Sequence, residues 1–104
     1  MDDLFGDVPN EVKITPPIMY LFEKAEIIKG RIRQLDEGFK TTIPDLVREK
    51  GIHRSIDIAF LEFAEGKIPP YEIRRTLGGG SYEIWKHEDF EFFPDDQKVK
   101  RNLA

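Results

Sequence analysis

Prolines stand in adjacent pairs at two points of this chain, Pro16-Pro17 and Pro69-Pro70, and they set the limits within which helices can run. A proline ring fixes φ and removes the backbone N–H, so a helix can start just after such a pair but cannot pass through it. After the first pair the pattern predicts a helix beginning near Ile18. Leu21, Ala25, Ile28, Ile32 and Leu35 recur at alternating spacings of four and three and form one apolar stripe. Glu23, Lys24, Glu26, Arg31, Arg33 and Asp36 occupy the other faces, and Gly38 sits where a left-handed C-cap stops the helix. Gly30 inside this helix costs up to about 1 kcal/mol relative to alanine, and a closely approaching backbone is one reason to carry it.

The second proline pair ends another helix. Ser55 is placed to N-cap Ile56 to Glu65, in which Ile56, Ala59, Phe60 and Phe63 make one face while Ile58 and Leu61 make a second apolar patch. Gly66 follows as its C′ residue. Between the helices, Pro44 can open a short helix through Lys50 that Gly51 ends, or Thr41-Thr42-Ile43 can be extended. Beyond Pro70, Tyr71 to Leu77 and Tyr82 to Trp85 carry period-two patterning around Gly78-Gly79-Gly80-Ser81, the signature of a β-hairpin. The expectation is an α+β domain over residues 15–93 with two main helices and a C-terminal hairpin. A flexible acidic arm at 1–14, whose Phe5 and Val8 are placed to order on a partner, and a polar tail at 94–104 flank it.

Composition narrows the function. A net charge of -4 argues against independent tight binding to nucleic acid, which needs a cationic face to displace counterions from phosphate. Without cysteine there is no disulfide, thiol nucleophile or zinc thiolate cluster, and no apolar run approaches the roughly 20 residues that cross a bilayer. The expectation is a soluble, intracellular protein, nuclear in a eukaryote and cytoplasmic in an archaeon or a cytoplasmic virus.

Few side chains form a chemical constellation. The triple glycine lacks a following Lys-Ser/Thr pair and leads into a strand, so it reads as a turn and not a phosphate loop. His53 and His87 have no second histidine at ligand spacing, and they read as loop or capping residues. The carboxylates Glu62 and Glu65, and the Glu88, Asp89 and Glu91 group, read as solvated helix faces and an acidic docking edge, because a core this small leaves little room for a substrate pocket. Neither catalytic, cofactor nor metal residues are expected. Arg74 and Arg75 are adjacent on a strand and point to opposite faces, so only one is directed at the domain's own body while the other reaches outward. Tyr82 and Trp85 read equally as core residues or interface anchors.

The ordered segments together resemble the omega-type small subunit of multisubunit RNA polymerases, called subunit K in archaea and the sixth shared subunit in eukaryotes. Phe22-Glu23-Lys24-Ala25, Ile27-Ile28, Arg31 and Gln34-Leu35 are similar to that family's first helix. Ile56-Asp57-Ile58-Ala59, Glu62, Glu65-Gly66-Lys67-Ile68-Pro69, Ile73-Arg74-Arg75, Leu77 and Gly80-Ser81-Tyr82-Glu83 are similar to its second helix and hairpin. Lys29 stands where the family usually has a small glycine, Glu26 where it usually has arginine, and Pro70 accompanies one extra residue before the strand.

The resemblance implies a subunit without chemistry of its own that embraces the largest polymerase subunit, aids assembly and holds the clamp region. The contact residues it implies are Phe22, Glu23, Lys24, Arg31, Gln34, Ile56, Ile58, Ala59, Pro69, Arg74 and Arg75. Nucleic acid is then met only through the complex, with no cofactor, no membrane and no homo-oligomer required. The rival readings are a free-standing regulator that binds polymerase reversibly and, more remotely, a small acid-dependent hydrolase.

Overall fold

The computed structural model describes residues 13–94, so Phe5, Val8 and most of the expected arm and tail lie outside the described residues. In chain order the described residues form helices α1 (Leu21–Asp36), α2 (Pro44–Lys50) and α3 (Ser55–Ala64), then strands β1 (Glu72–Thr76) and β2 (Tyr82–Lys86). The α+β class stands, with the short α2 added to the two main helices. The chain divides into two units, residues 22–71 and residues 13–21 with 72–94.

In the helical unit, α1 starts at Leu21 and not near Ile18. The cause is local: Ile18 bridges Phe92 in parallel, and the Met19 amide donates to the Phe92 carbonyl at 2.8 Å, so this backbone is committed to extended pairing before the helix can nucleate. The face that α1 buries also differs from the apolar stripe. Glu23, Lys24, Ile27, Ile28 and Arg31 are buried, whereas Leu21 and Ala25 are exposed and Ile32 and Leu35 half-buried. Arg31 and Lys24 are turned inward with partners inside the unit, Arg31 on Glu62 and Lys24 over the Phe60 and Phe63 rings. α2 takes the helical alternative, with Pro44 in its first turn and Gly51 at φ 64 closing it.

α3 begins one residue earlier than expected, with Arg54 and not Ser55 in the capping position. The Ser55 hydroxyl instead donates to Asp36 Oδ1 at 2.5 Å, and Arg54 pairs with Asp57 Oδ2 at 2.8 Å. Ala59 and Glu62 are its buried residues, so the reading of Glu62 as a solvated carboxylate is overturned.

In the other unit the hairpin forms as patterned, with Ile73 opposite Trp85, Arg75 opposite Glu83 and Thr76 opposite Tyr82. Leu77 N–H donates to the Ser81 carbonyl at 2.8 Å to close the turn, and Gly79 and Gly80 have φ of 73° and 82°. Those left-handed values explain why glycine is used there. Met19, Tyr82, Trp85 and Phe90 are buried in this unit, the Trp85 and Phe90 ring centroids 5.3 Å apart, and strand alternation puts Tyr82 on the hairpin face opposite Trp85. A short turn at His87–Asp89 brings Phe90 into place, its start held by the Lys86 amide donating to Asp89 Oδ2 at 2.9 Å.

Candidate interaction site

Each unit is built around a buried carboxylate that gathers the chain about it. In the helical unit this is Glu62, fully buried on α3. It accepts from Arg31 Nε at 2.6 Å and Arg31 Nη2 at 3.1 Å, a bidentate pair joining α1 to α3. The Thr41 hydroxyl at 2.7 Å and the Thr42 amide at 3.1 Å donate to the same carboxylate, which pins the α1–α2 connection. Arg31 spends its remaining donors on Gln34 Oε1 and the Lys40 carbonyl, each at 3.0 Å. Burial alone would push the Glu62 carboxyl up. The Arg31 guanidinium, the Thr41 hydroxyl and the Thr42 amide outweigh it and hold the group below its ordinary 4.5. Lys24 is buried with its ammonium 4.9 Å from the Phe63 ring centroid and 5.8 Å from that of Phe60, a cation–π contact that keeps its stem in the helix packing.

In the hairpin unit the carboxylate is Glu83. It accepts from the Ile14 amide at 2.6 Å, the Thr15 amide at 3.3 Å, the Thr15 hydroxyl through a short bond, and Trp85 Nε1 at 2.8 Å. Burial works to raise its carboxyl. The Thr15 hydroxyl, the Trp85 indole and the Ile14 and Thr15 amides prevail and lower it from 4.5 to about 2. Opposite it, Arg75 donates to Thr15 Oγ1 at 2.9 Å, to the Pro16 carbonyl at 2.8 Å and to the Ile18 carbonyl. The Arg75 guanidinium lies 4.6 Å from the Trp85 ring centroid, 4.7 Å from that of Tyr20 and 5.3 Å from that of Phe90. Among the described residues every buried side-chain nitrogen and oxygen has a hydrogen-bond partner. Lys13 and Ile14, assigned to the arm from sequence, are therefore held by the fold: Ile14 by Glu83, and Lys13 by Asp89 at 3.6 Å.

The sequence-derived contact residues separate into two groups. Glu23, Lys24, Arg31, Ala59 and Arg75 are buried in the chain itself, and Ile58 and Pro69 are half-buried. Exposed surface is offered by Phe22, Gln34 and Ile56 in the helical unit and by Arg74 in the hairpin unit. Arg74 is exposed and lies 3.8 Å from the Tyr82 ring centroid, a cation–π contact with its diagonal neighbour on the same hairpin face. The opposed Arg74 and Arg75 thus divide their work as the strand alternation requires. Further large apolar side chains are exposed in each unit: Phe39 in the first, and Ile14, Ile18, Leu21, Phe92 and Phe93 in the second.

Sequence reasoning missed Glu62 and Glu83 as organising groups. For Glu83 a signal was present, since the hairpin register sets it directly opposite Arg75, an oppositely charged cross-strand pair. For Glu62 the signal was its spacing of three from Ala59, which puts both on one helix face. No group of three or more His, Cys, Asp and Glu among the described residues is arranged to hold a metal ion. No helix among them is long and apolar enough to cross a membrane.

What this geometry defines is a small α+β chain that uses charged side chains as its internal fastenings and leaves much of its large apolar surface outside. No family model matches the chain. Curated proteins do, three of them as follows. The DNA-directed RNA polymerases I, II, and III subunit RPABC2 of Saccharomyces cerevisiae is 35% identical over 82 residues, covering 79% of this chain and 50% of the yeast protein. Its Schizosaccharomyces pombe counterpart is 37% identical over 78 residues, 75% of this chain and 51% of that protein. The DNA-directed RNA polymerase subunit 6 of Acanthamoeba polyphaga mimivirus is 28% identical over 85 residues, 82% of this chain and 20% of the viral protein. Over about four-fifths of its length the chain is similar to RPABC2 subunits of RNA polymerases. It spans about half the length of the yeast relatives it matches.

Proposed function

We propose that this chain is a non-catalytic structural subunit of a DNA-dependent RNA polymerase, which grips the largest subunit and supports assembly and clamp positioning. The observation that carries the reading is the homology to shared polymerase subunits across most of the chain, in cellular and viral relatives alike. Residues 15–93 form the working domain, joined structurally by Lys13 and Ile14. Phe22, Gln34, Ile56 and Arg74 make the contacts, while Glu23, Lys24, Arg31, Ala59 and Arg75 act by holding the surface in shape. Ile58 and Pro69 border the contact. Touching two separated segments of one large chain makes their encounter intramolecular, and binding only the folded partner stabilises it. The subunit then works wherever the transcription machinery does.

Purification of the tagged chain from its own cells tests this. Stoichiometric recovery of the polymerase large subunits through a high-salt wash is the expected result, with cross-links from Phe22 and Ile56 falling on the largest one. Loss of those subunits on mild washing identifies a reversible regulator instead, and their complete absence removes the polymerase reading.

A further inference from the structure

Ile14-Thr15-Pro16-Pro17 reaches the hairpin as a non-helical segment with bends at Thr15 and Pro17, because a residue before proline is kept out of the helical region. Its attachment converges on one hydroxyl. Thr15 Oγ1 donates to Glu83 Oε1 and at the same time accepts from Arg75 Nη1 at 2.9 Å. Thr15 is half-buried and Pro16 exposed. A threonine followed directly by proline is also the minimal substrate of a proline-directed protein kinase. The group that fastens the segment is thus the group such an enzyme modifies.

We propose that Thr15 is a phosphorylation site for a proline-directed kinase and that the phosphoryl group releases residues 13–19 from the hairpin. In the transfer, Thr15 Oγ1 bonds to the γ-phosphorus of a nucleoside triphosphate while the bond from that phosphorus to the β–γ bridging oxygen breaks. The hydroxyl proton passes to the kinase's base and the nucleoside diphosphate leaves with the electron pair. The product has no hydroxyl to donate to Glu83, and it sets a group of charge about -1.5 to -2 against a buried carboxylate. Arg75 cannot compensate by following the phosphate. Its guanidinium is held by the Pro16 and Ile18 carbonyls and by the rings of Tyr20, Trp85 and Phe90. One such cation then faces two anions, while Lys13 is engaged by Asp89. Repulsion wins, and the bonds from Ile14 and Thr15 to Glu83 open together. The switch lies within this chain and stands whether or not the chain sits in a polymerase.

The test treats the full chain with a proline-directed kinase and magnesium ATP, maps the product by tandem mass spectrometry, and follows amide hydrogen exchange. A peptide of residues 10–20 serves as the reference substrate. The expected result is one phosphoryl group on Thr15, absent from Thr15→Val and Pro16→Ala. Exchange at the Ile14, Thr15 and Met19 amides should rise about tenfold or more, as loss of a hydrogen bond to a charged group implies. Phosphorylation of the peptide but not of the chain overturns the site, as does failure of both. Phosphorylation of Thr15 with unchanged exchange overturns the release.

Discussion

Replacing Arg31 by methionine tests whether charge, and not apolar packing, fastens the helical unit. The two side chains are 3% and 0% exposed, and their bonds of 2.6 and 3.1 Å form a fork-on-carboxylate pair. With the guanidinium gone, Glu62 keeps the Thr41 hydroxyl and the Thr42 amide as donors but is left as a buried charge without a counterion. Breaking such a pair from one side costs about 3–5 kcal/mol. A domain of this size has a total stability of only about 5–15 kcal/mol, so Arg31→Met should lose a large part of it. Glu62→Leu strands the guanidinium instead and should cost a similar amount. The double variant removes both charges, fills the space with apolar atoms, and should lie within about 2 kcal/mol of the wild type. Urea titrations followed by far-UV circular dichroism, with the denaturant slope checked for constancy, give the cycle. Single losses below about 1 kcal/mol, or a coupling near zero, would refute the reasoning, because they would mean that water already screens the pair.

Gly30 has an ordinary helical conformation, and a Cβ there would meet nothing within 4 Å, so Gly30→Ala should stabilise the chain by about 1 kcal/mol in thermal unfolding. Among the described residues no close backbone explains the glycine; a destabilised alanine variant would show that one exists elsewhere. Glu83 has a folded value near 2 against an ordinary 4.5, so its stabilising contribution is complete above about pH 4.5 and is lost as pH falls through 2. Trp85 fluorescence should report that acid transition, because its indole donates to the same carboxylate, and Glu83→Gln should abolish this component. Ile56→Asp, at a position 44% exposed, should change stability by less than about 0.5 kcal/mol yet reduce recovery of the polymerase subunits; equal losses in both would contradict the contact.

Much of the architecture was legible from local chemistry. Period-two residues around three glycines specify a hairpin, and the turn values at Gly79 and Gly80 follow from the same residues. Proline pairs and glycines bounded the helices to within a few residues. What the pattern could not give was the start of α1, because the pairing of Ile18 with Phe92 joins residues far apart in sequence. It also misjudged which face of α1 is inside. Hydrophobic periodicity assumes that apolar residues define the core, whereas Arg31 and Lys24 enter it with long-range partners, Glu62 and the Phe60 and Phe63 rings, that no local window contains. Of the contact residues, the opposed directions of Arg74 and Arg75 were legible from strand alternation. The inward turn of Glu23 was not.

A core fastened by paired charges drifts differently from an oily one. Leucine can become isoleucine or methionine in single tolerated steps, but Arg31 and Glu62 can change safely only together, because each intermediate strands an ion. A lineage carrying these pairs should therefore keep both members or exchange both, so that among descendants positions 31 and 62 change as a unit.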